Sequence, residues 1–221
     1  MLFRSLKEGS AYTQVPYHIL EEYDQNLLDE VNKAFVRAAV RCEDYLLMTA
    51  LRAATSRTQF AGYIDRDTGA LAFYAENIPI AIGKLLAAGK EVKPGELVCW
   101  MHAKAYAALL KELTASNAFT VADPNVVRSG LLEEYLGVKL LITGLNVTGK
   151  VRAGSGTGTC YPAYLFRPKR CMALAPKRDL LIETNRDIVN KKLQIAASHT
   201  CGVKILDFKE AVEIYCNTYT T

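Results

Sequence analysis

Two short spacings place thiols and imidazoles close together in the chain: Cys99-x-x-His102 and His199-x-Cys201. Together they supply four side chains of the kinds that bind zinc. Neither spacing is a strong zinc signature, and the six cysteines, at 42, 99, 160, 171, 201 and 216, form no C-x-x-C pair. Cys99 lies in the apolar run "LVCWM". His102 stands where a helix should begin and would cap it. Cys201 precedes Gly202 at an expected bend. Free cysteine is among the most often buried residue types, so packing is the expectation for these positions and no metal ligand is assigned. A thiol nucleophile at Cys201 would need His199 as base and Asp207 as orienting carboxylate, folded together by the turn between them. No flanking pattern supports that arrangement, and no catalytic residue is assigned.

Other candidates carry less. "GSGTGTC" at 154–160 could offer backbone N–H groups to an anion, but no Gly-Lys-Ser/Thr follows and the next segment reads as a strand. An exposed hairpin tip over 143–159 is the simpler reading, and no cofactor-binding residue is assigned. The carboxylate pairs Glu21–Glu22 and Glu133–Glu134 are adjacent and do not share a face. Glu43–Asp44, beside Arg41, reads as a solvated patch. The basic segments "RPKRC" at 167–171, "PKR" at 176–178 and "NKK" at 190–192 alternate with apolar residues and read as a solvated face. Such a face would meet phosphate weakly and without base readout.

The elements that must position these residues come from periodicity. The chain has 221 residues, half of them hydrophobic and 23% charged, with a net charge of +4. It is long enough to bury a substantial core, and its mild charge does not by itself point to nucleic acid. The N-terminal "MLFRSLKEGS" lacks the apolar segment of a secretory signal, and no apolar run approaches the ~20 residues of a membrane span. Reduced, packed thiols are therefore expected over a disulfide framework, with Cys160 and Cys171 the one pair that strands might set face to face.

"SAYTQVPYHIL" alternates and reads as extended, with Pro16 keeping it off a central strand. Leu28, Val31, Phe35, Ala38, Cys42, Tyr45 and Thr49 then recur every three or four residues. This predicts a helix of roughly 30 residues capped by Asp24, a spine on which a sheet rests. A second helix is expected from Asn77 to Gly89, a strand buried on both faces at "LVCWM", a helix at "HAKAYAALLKEL" and a strand at "GVKLLIT". The rest reads as strands, with turns at Pro176–Lys177 and Asn185–Arg186. One strand should end at His199. After the bend, Val203, Ile205, Val212 and Ile214 should pack toward the long helix, with Lys204, Lys209 and Glu213 outward. The class is α+β.

The stretches "SGLLEEYLGVKLLIT" and "ALAPKRDLLIETNRDIVNKKLQIAASHTCGVKILDFKEAVEI" resemble the tailed-phage major capsid proteins of the Hong Kong 97-type fold. The subgroup related to the phage N-four coat protein is the nearest in pattern. "RCEDYLLMTAL" is similar to the end of the family's spine helix, and "PGELVCWMHAKAYAALLKEL" to the segment where a central strand enters a helix. The resemblance runs over roughly residues 12 to 216 and includes no catalytic signature.

It implies an arm, or a remnant of the family's extended hairpin, at 1–24. It implies a peripheral domain from 25–57 and 176–221, comprising the spine helix and the C-terminal strands, and a mixed α/β axial domain over 58–175. It also implies a non-enzymatic subunit, without cofactor, that self-assembles through hexamers and pentamers into an icosahedral shell around double-stranded DNA. Such a shell would be assembled in the host cytoplasm and reside in the virion, with non-specific DNA contact and no membrane. The same fold builds encapsulin compartments, which is the alternative. A small zinc- or thiol-dependent enzyme using Cys99, His102, His199 and Cys201 is the alternative of a different class.

Overall fold

The structure is a computed structural model that describes residues 6–53, 59–65, 73–93, 95–115, 132–144, 159–160, 163–215 and 217–218. The chain forms two compact units. One comprises Met1–Arg52 with Ala173–Lys204, the other Ala53–Met172 with Ile205–Thr221.

In the first unit, β1 (Leu6–Pro16) pairs antiparallel with β9 (Lys192–Ile205) along its whole length. β8 (Met172–Asp187) lies on the other side of β9, giving the order β1-β9-β8. β1 is thus an edge strand, as Pro16 requires. Helix α1 (Tyr17–Arg52) follows at once, 36 residues and about 54 Å by helix rise. It starts seven residues before Asp24, the expected cap. Pro16 ends the strand, the Tyr17 N–H closes the pairing by donating to the Lys191 carbonyl at 3.0 Å, and nothing in "YHILEEYD" interrupts a helix. Ile19, expected in an extended segment, is therefore helical. Val15, Phe35, Ile195 and Ala197 are buried between α1 and the sheet, with Leu28, Val31 and Leu180 packed against them.

Two expected turns are displaced. β8 runs straight through Pro176–Lys177 and Asn185–Arg186, and the hairpin turns at 188–191 instead. There the Asp187 carboxylate accepts the Asn190 N–H at 3.0 Å, and Lys191 takes a positive φ of 50°. Asp187 supplies the side-chain acceptor that organises a tight turn, which Asn185 does not. β9 likewise does not stop at His199 but continues through Gly202 to Ile205.

The second unit holds a mixed six-stranded sheet. Its strands are β2 (Gly62–Asp65), β3 (Leu97–His102), β4 (Glu134–Tyr135), β5 (Val138–Thr143), β7 (Ala163–Phe166) and β10 (Ala211–Tyr215). The order is β2-β10-β7-β3-β5-β4. β6 (Thr159–Cys160) and β11 (Asn217–Thr218) form a separate two-stranded pair. Cys160 therefore stands opposite Asn217, not Cys171. The four described cysteines with placed side chains, 42, 99, 171 and 201, are free thiols.

Helix α2 (Asn77–Ala87) and helix α3 (Ala103–Ala115) cover one face of the large sheet. Ile78, Ala81 and Leu85 from α2, and Ala105, Leu109 and Leu113 from α3, meet Leu97, Cys99 and Met101 of β3 there. β3 is buried on its other face too, through Val98 and Trp100, as its unbroken apolar run predicts. Val212 and Ile214 belong to this core and not to the face under α1, because β10 pairs with β2 and β7. Glu213, expected outward, is 4% exposed, and its carboxylate accepts the Tyr164 hydroxyl at 3.3 Å. Val203 and Ile205 are half-buried, as is Lys204, while Lys209 is exposed.

A charged network joins the loop after α2 to the short helix α4 (Pro168–Cys171) and the 3-10 turn Phe208–Glu210. Arg167, expected on a solvated face, is 4% exposed. Its Nε donates to Glu210 Oε2 at 2.6 Å, a second nitrogen pairs with the same carboxylate, and Nη1 donates to the Glu91 carbonyl. Lys90 bridges Asp207 at 2.9 Å and Glu210 at 3.0 Å. Burial opposes ionisation of both acids. The bonds from Lys90, from the Lys209 N–H to Asp207 and from Arg167 to Glu210 outweigh it, and hold both below their ordinary values of 3.8 and 4.5.

Three outcomes follow from this packing. Leu109→Ala should destabilise the chain by about 2–5 kcal/mol, whereas Val189→Ser at the exposed hairpin tip should stay within about 0.5 kcal/mol; urea unfolding of the purified chain compares them. Arg167→Met should cost about 3 kcal/mol or less in the same assay, because Glu210 loses the guanidinium but keeps Lys90. Because Asp207 and Glu210 ionise more readily folded than unfolded, their contribution is full above the unfolded pKa near 4 and is lost as pH falls through the lower folded values. Urea midpoints measured on either side of about pH 4 should drop in the wild type and drop less in Lys90→Met.

Candidate functional site

The strand β9 buries alternate residues: Ile195, Ala197, His199 and Cys201 all face inward. This is the period-two rule of a half-buried strand, and it places the imidazole and the thiol side by side at the end of an apolar row. Helix α1 brings Glu43 to the same place. His199 Nε2 lies 2.9 Å from Glu43 Oε1, with the imidazole 8% and the carboxylate 25% exposed. Glu43 is therefore not the solvated patch expected of an acidic pair. It sits beside Cys42, at the edge of the apolar stripe of α1, and points into the helix–sheet layer. Its neighbour Asp44 has its carboxyl raised by burial and then by the charge of Glu43.

Ligand atoms of Glu43, His199 and Cys201 all lie within 4.8 Å of one another, the only such group of three among the described residues. A cleft of about 140 Å³ opens beside it, lined by Gly9, Phe35, Cys42 and His199 among others. Gly9 is opposite His199 in the β1–β9 register. A Cβ there would come into contact with Cys42 Sγ at 3.4 Å.

The sequence-level candidates separate. Cys99 and His102 join no ligand group among the described residues. Cys99 is packed in the core of the second unit, and His102 Nδ1 accepts the Lys104 N–H at 3.1 Å, capping α3 as expected. Asp207 does not orient His199; it is held by Lys90 and caps its own 3-10 turn by accepting the Lys209 N–H at 2.8 Å. The orienting carboxylate is Glu43, more than 150 residues away in sequence, so only its place at the edge of the apolar stripe could have signalled it.

Cys201 is 1% exposed, and its thiol is raised first by burial and then by the charges of Glu43 and Cys42. A thiol in that state is a poor nucleophile at neutral pH. Cys171 is more extreme, pushed up to about 12 by burial and the charges of Asp207 and Glu210. Among the basic segments, Lys169, Arg170, Lys177, Arg178 and Lys191 are exposed, and Lys192 is half-buried. Glu133 and Glu134 are exposed. The side chains of Glu21 and Glu22, and the glycine-rich 145–158, lie outside the described residues.

No family model and no curated protein matches the sequence. Solved structures do. The capsid of Ralstonia phage GP4 superposes with a TM-score of 0.70 at 10% identity, over 97% of this chain and 74% of that one. The capsid of cyanophage Pam1 gives 0.67 at 14% identity, over 98% and 76%. The SrpI encapsulin of Synechococcus elongatus gives 0.58 at 14% identity, over 98% and 77%. At these identities the likeness is one of fold.

The environment of Cys201 has a direct chemical readout. In the folded chain its alkylation by iodoacetamide at neutral pH should be at least about tenfold slower than in urea, followed by mass spectrometry of the peptide that contains it.

Proposed function

From a chain that has the Hong Kong 97-type fold, shared over nearly its whole length with phage capsid subunits, we propose a major capsid protein that self-assembles into an icosahedral shell around double-stranded DNA. The observation that supports this reading is the likeness to several phage capsids, at TM-scores up to 0.70; the encapsulin, at 0.58, stands level with the capsid of phage PhiM1 at 0.59. In this reading β1 belongs to the arm, α1 with β8 and β9 to the peripheral domain, and α2, α3 and the strands between β2 and β7 to the axial domain, while β10, expected in the peripheral domain, pairs within the six-stranded sheet. The subunit works as a building block in hexamers and pentamers and catalyses nothing. It is assembled in the host cytoplasm and resides in the virion.

The physical features suit that role. A shell subunit needs rigid elements and many modest contacts related by symmetry, not one deep pocket. The long helix braced by a sheet supplies the rigidity. The hairpin tip supplies exposed apolar surface, with Ile188 at 81% and Val189 at 91% exposure. Exposed basic residues at 169–170, 177–178 and 191 offer phosphate contacts without sequence readout. No described helix is long and apolar enough to cross a membrane.

Negative-stain microscopy of the purified chain should show closed particles of megadalton mass. DNA inside them that resists nuclease supports the capsid reading. A protein cargo instead of DNA would favour the encapsulin alternative, and a monomer that never assembles would overturn both. Replacing Ile188 and Val189 by Asp should leave the circular dichroism and urea midpoint of the subunit unchanged while reducing particle yield by about tenfold or more, as expected when exposed apolar side chains serve contacts between copies.

A further inference from the structure

We propose that Glu43, His199 and Cys201 form a binding site for a divalent cation of borderline softness, zinc being the best fit, which clips the long helix to the sheet. The inference stands on the first unit alone and does not depend on the shell reading.

The ligand types are those zinc takes: a carboxylate oxygen, an imidazole nitrogen and a thiolate sulfur. Their placement follows from the secondary structure. His199 and Cys201 are two apart on a strand and so face the same side, and Glu43 comes from the helix packed over that side. In a tetrahedral site with bonds of 2.0–2.3 Å, ligand atoms stand about 3.3–3.7 Å apart. The three ligand atoms lie within 4.8 Å of one another, and His199 Nε2 and Glu43 Oε1 are 2.9 Å apart, so side-chain movements of about an ångström bring them into place. His199 also lines the adjoining cleft, which has room for a water as the fourth ligand.

Binding is balanced in charge and protons. The Cys201 thiol releases its proton to solvent, and the neutral imidazole carries its one proton on Nδ1 so that Nε2 faces the cation. The thiolate and the Glu43 carboxylate then neutralise the two charges of the cation. No oxidant or reductant is involved.

Zinc alone is the probe. The full-length chain, stripped with chelator and dialysed, should take up about one zinc per chain, and His199→Ala and Cys201→Ser should each lower this to about a tenth. His18→Ala, on an exposed helix position, should leave it unchanged. Cobalt substituted for zinc should give the charge-transfer absorption of a thiolate ligand, absent in Cys201→Ser. Zinc should raise the unfolding midpoint of the wild type but not of Cys201→Ser. A wild-type chain that binds no more zinc than Cys201→Ser, or cobalt bound without thiolate absorption, overturns the proposal. Wild-type stoichiometry and the cobalt spectrum decide it even if a variant fails to fold.

Discussion

The pairing of β1 with β9 fixes most of what matters in the first unit. It runs without a break from Leu6–Gly202 to Pro16–Lys192. Because the helix begins at the next residue, the end of that pairing sets where α1 starts and which of its faces meets the sheet. The same register puts Gly9 across from His199, beside Cys42. A one-residue slip would turn Ile195, Ala197, His199 and Cys201 to the opposite face together, losing both the apolar layer and the polar cluster.

Both units hold ionisable side chains against their cores, and each resolves them by pairing. Arg167 and Glu210 are nearly as inaccessible as the leucines around them, yet the guanidinium meets a carboxylate and a carbonyl, and Lys90 adds a second cation to the acid. In the first unit the Glu43–His199 pair closes the apolar layer between helix and sheet. Such pairs add little net stability over apolar packing, but breaking one leaves a buried charge without a partner. That asymmetry makes each pair hold its elements in one arrangement.

Long, strongly periodic elements were legible in the residues. The 3.6-residue recurrence from Leu28 to Thr49 gave the long helix, and the unbroken apolar "LVCWM" gave a strand buried on both faces. The order of elements and the short motifs around 129–143 and 173–214 carried the fold. The misplaced features were local. Pro176 and Asn185 resemble turn residues, yet β8 passes through both, because pairing with β9 and the side-chain acceptor at Asp187 place the turn farther on. Arg167, inside a run of basic residues, looked solvated until a distant glutamate buried it.

The residues by themselves determined the α+β class, the long helix, the doubly buried strand "LVCWM" and the capping role of His102, all of which depend on neighbours a few positions away. Only the tertiary structure decided that β10 joins the six-stranded sheet, and that His199 and Cys201 meet Glu43 and not Cys99, His102 or Asp207. Those choices depend on which strands pair and in what register. Pairing is set by the burial of whole faces between segments more than a hundred residues apart, which no local spacing records.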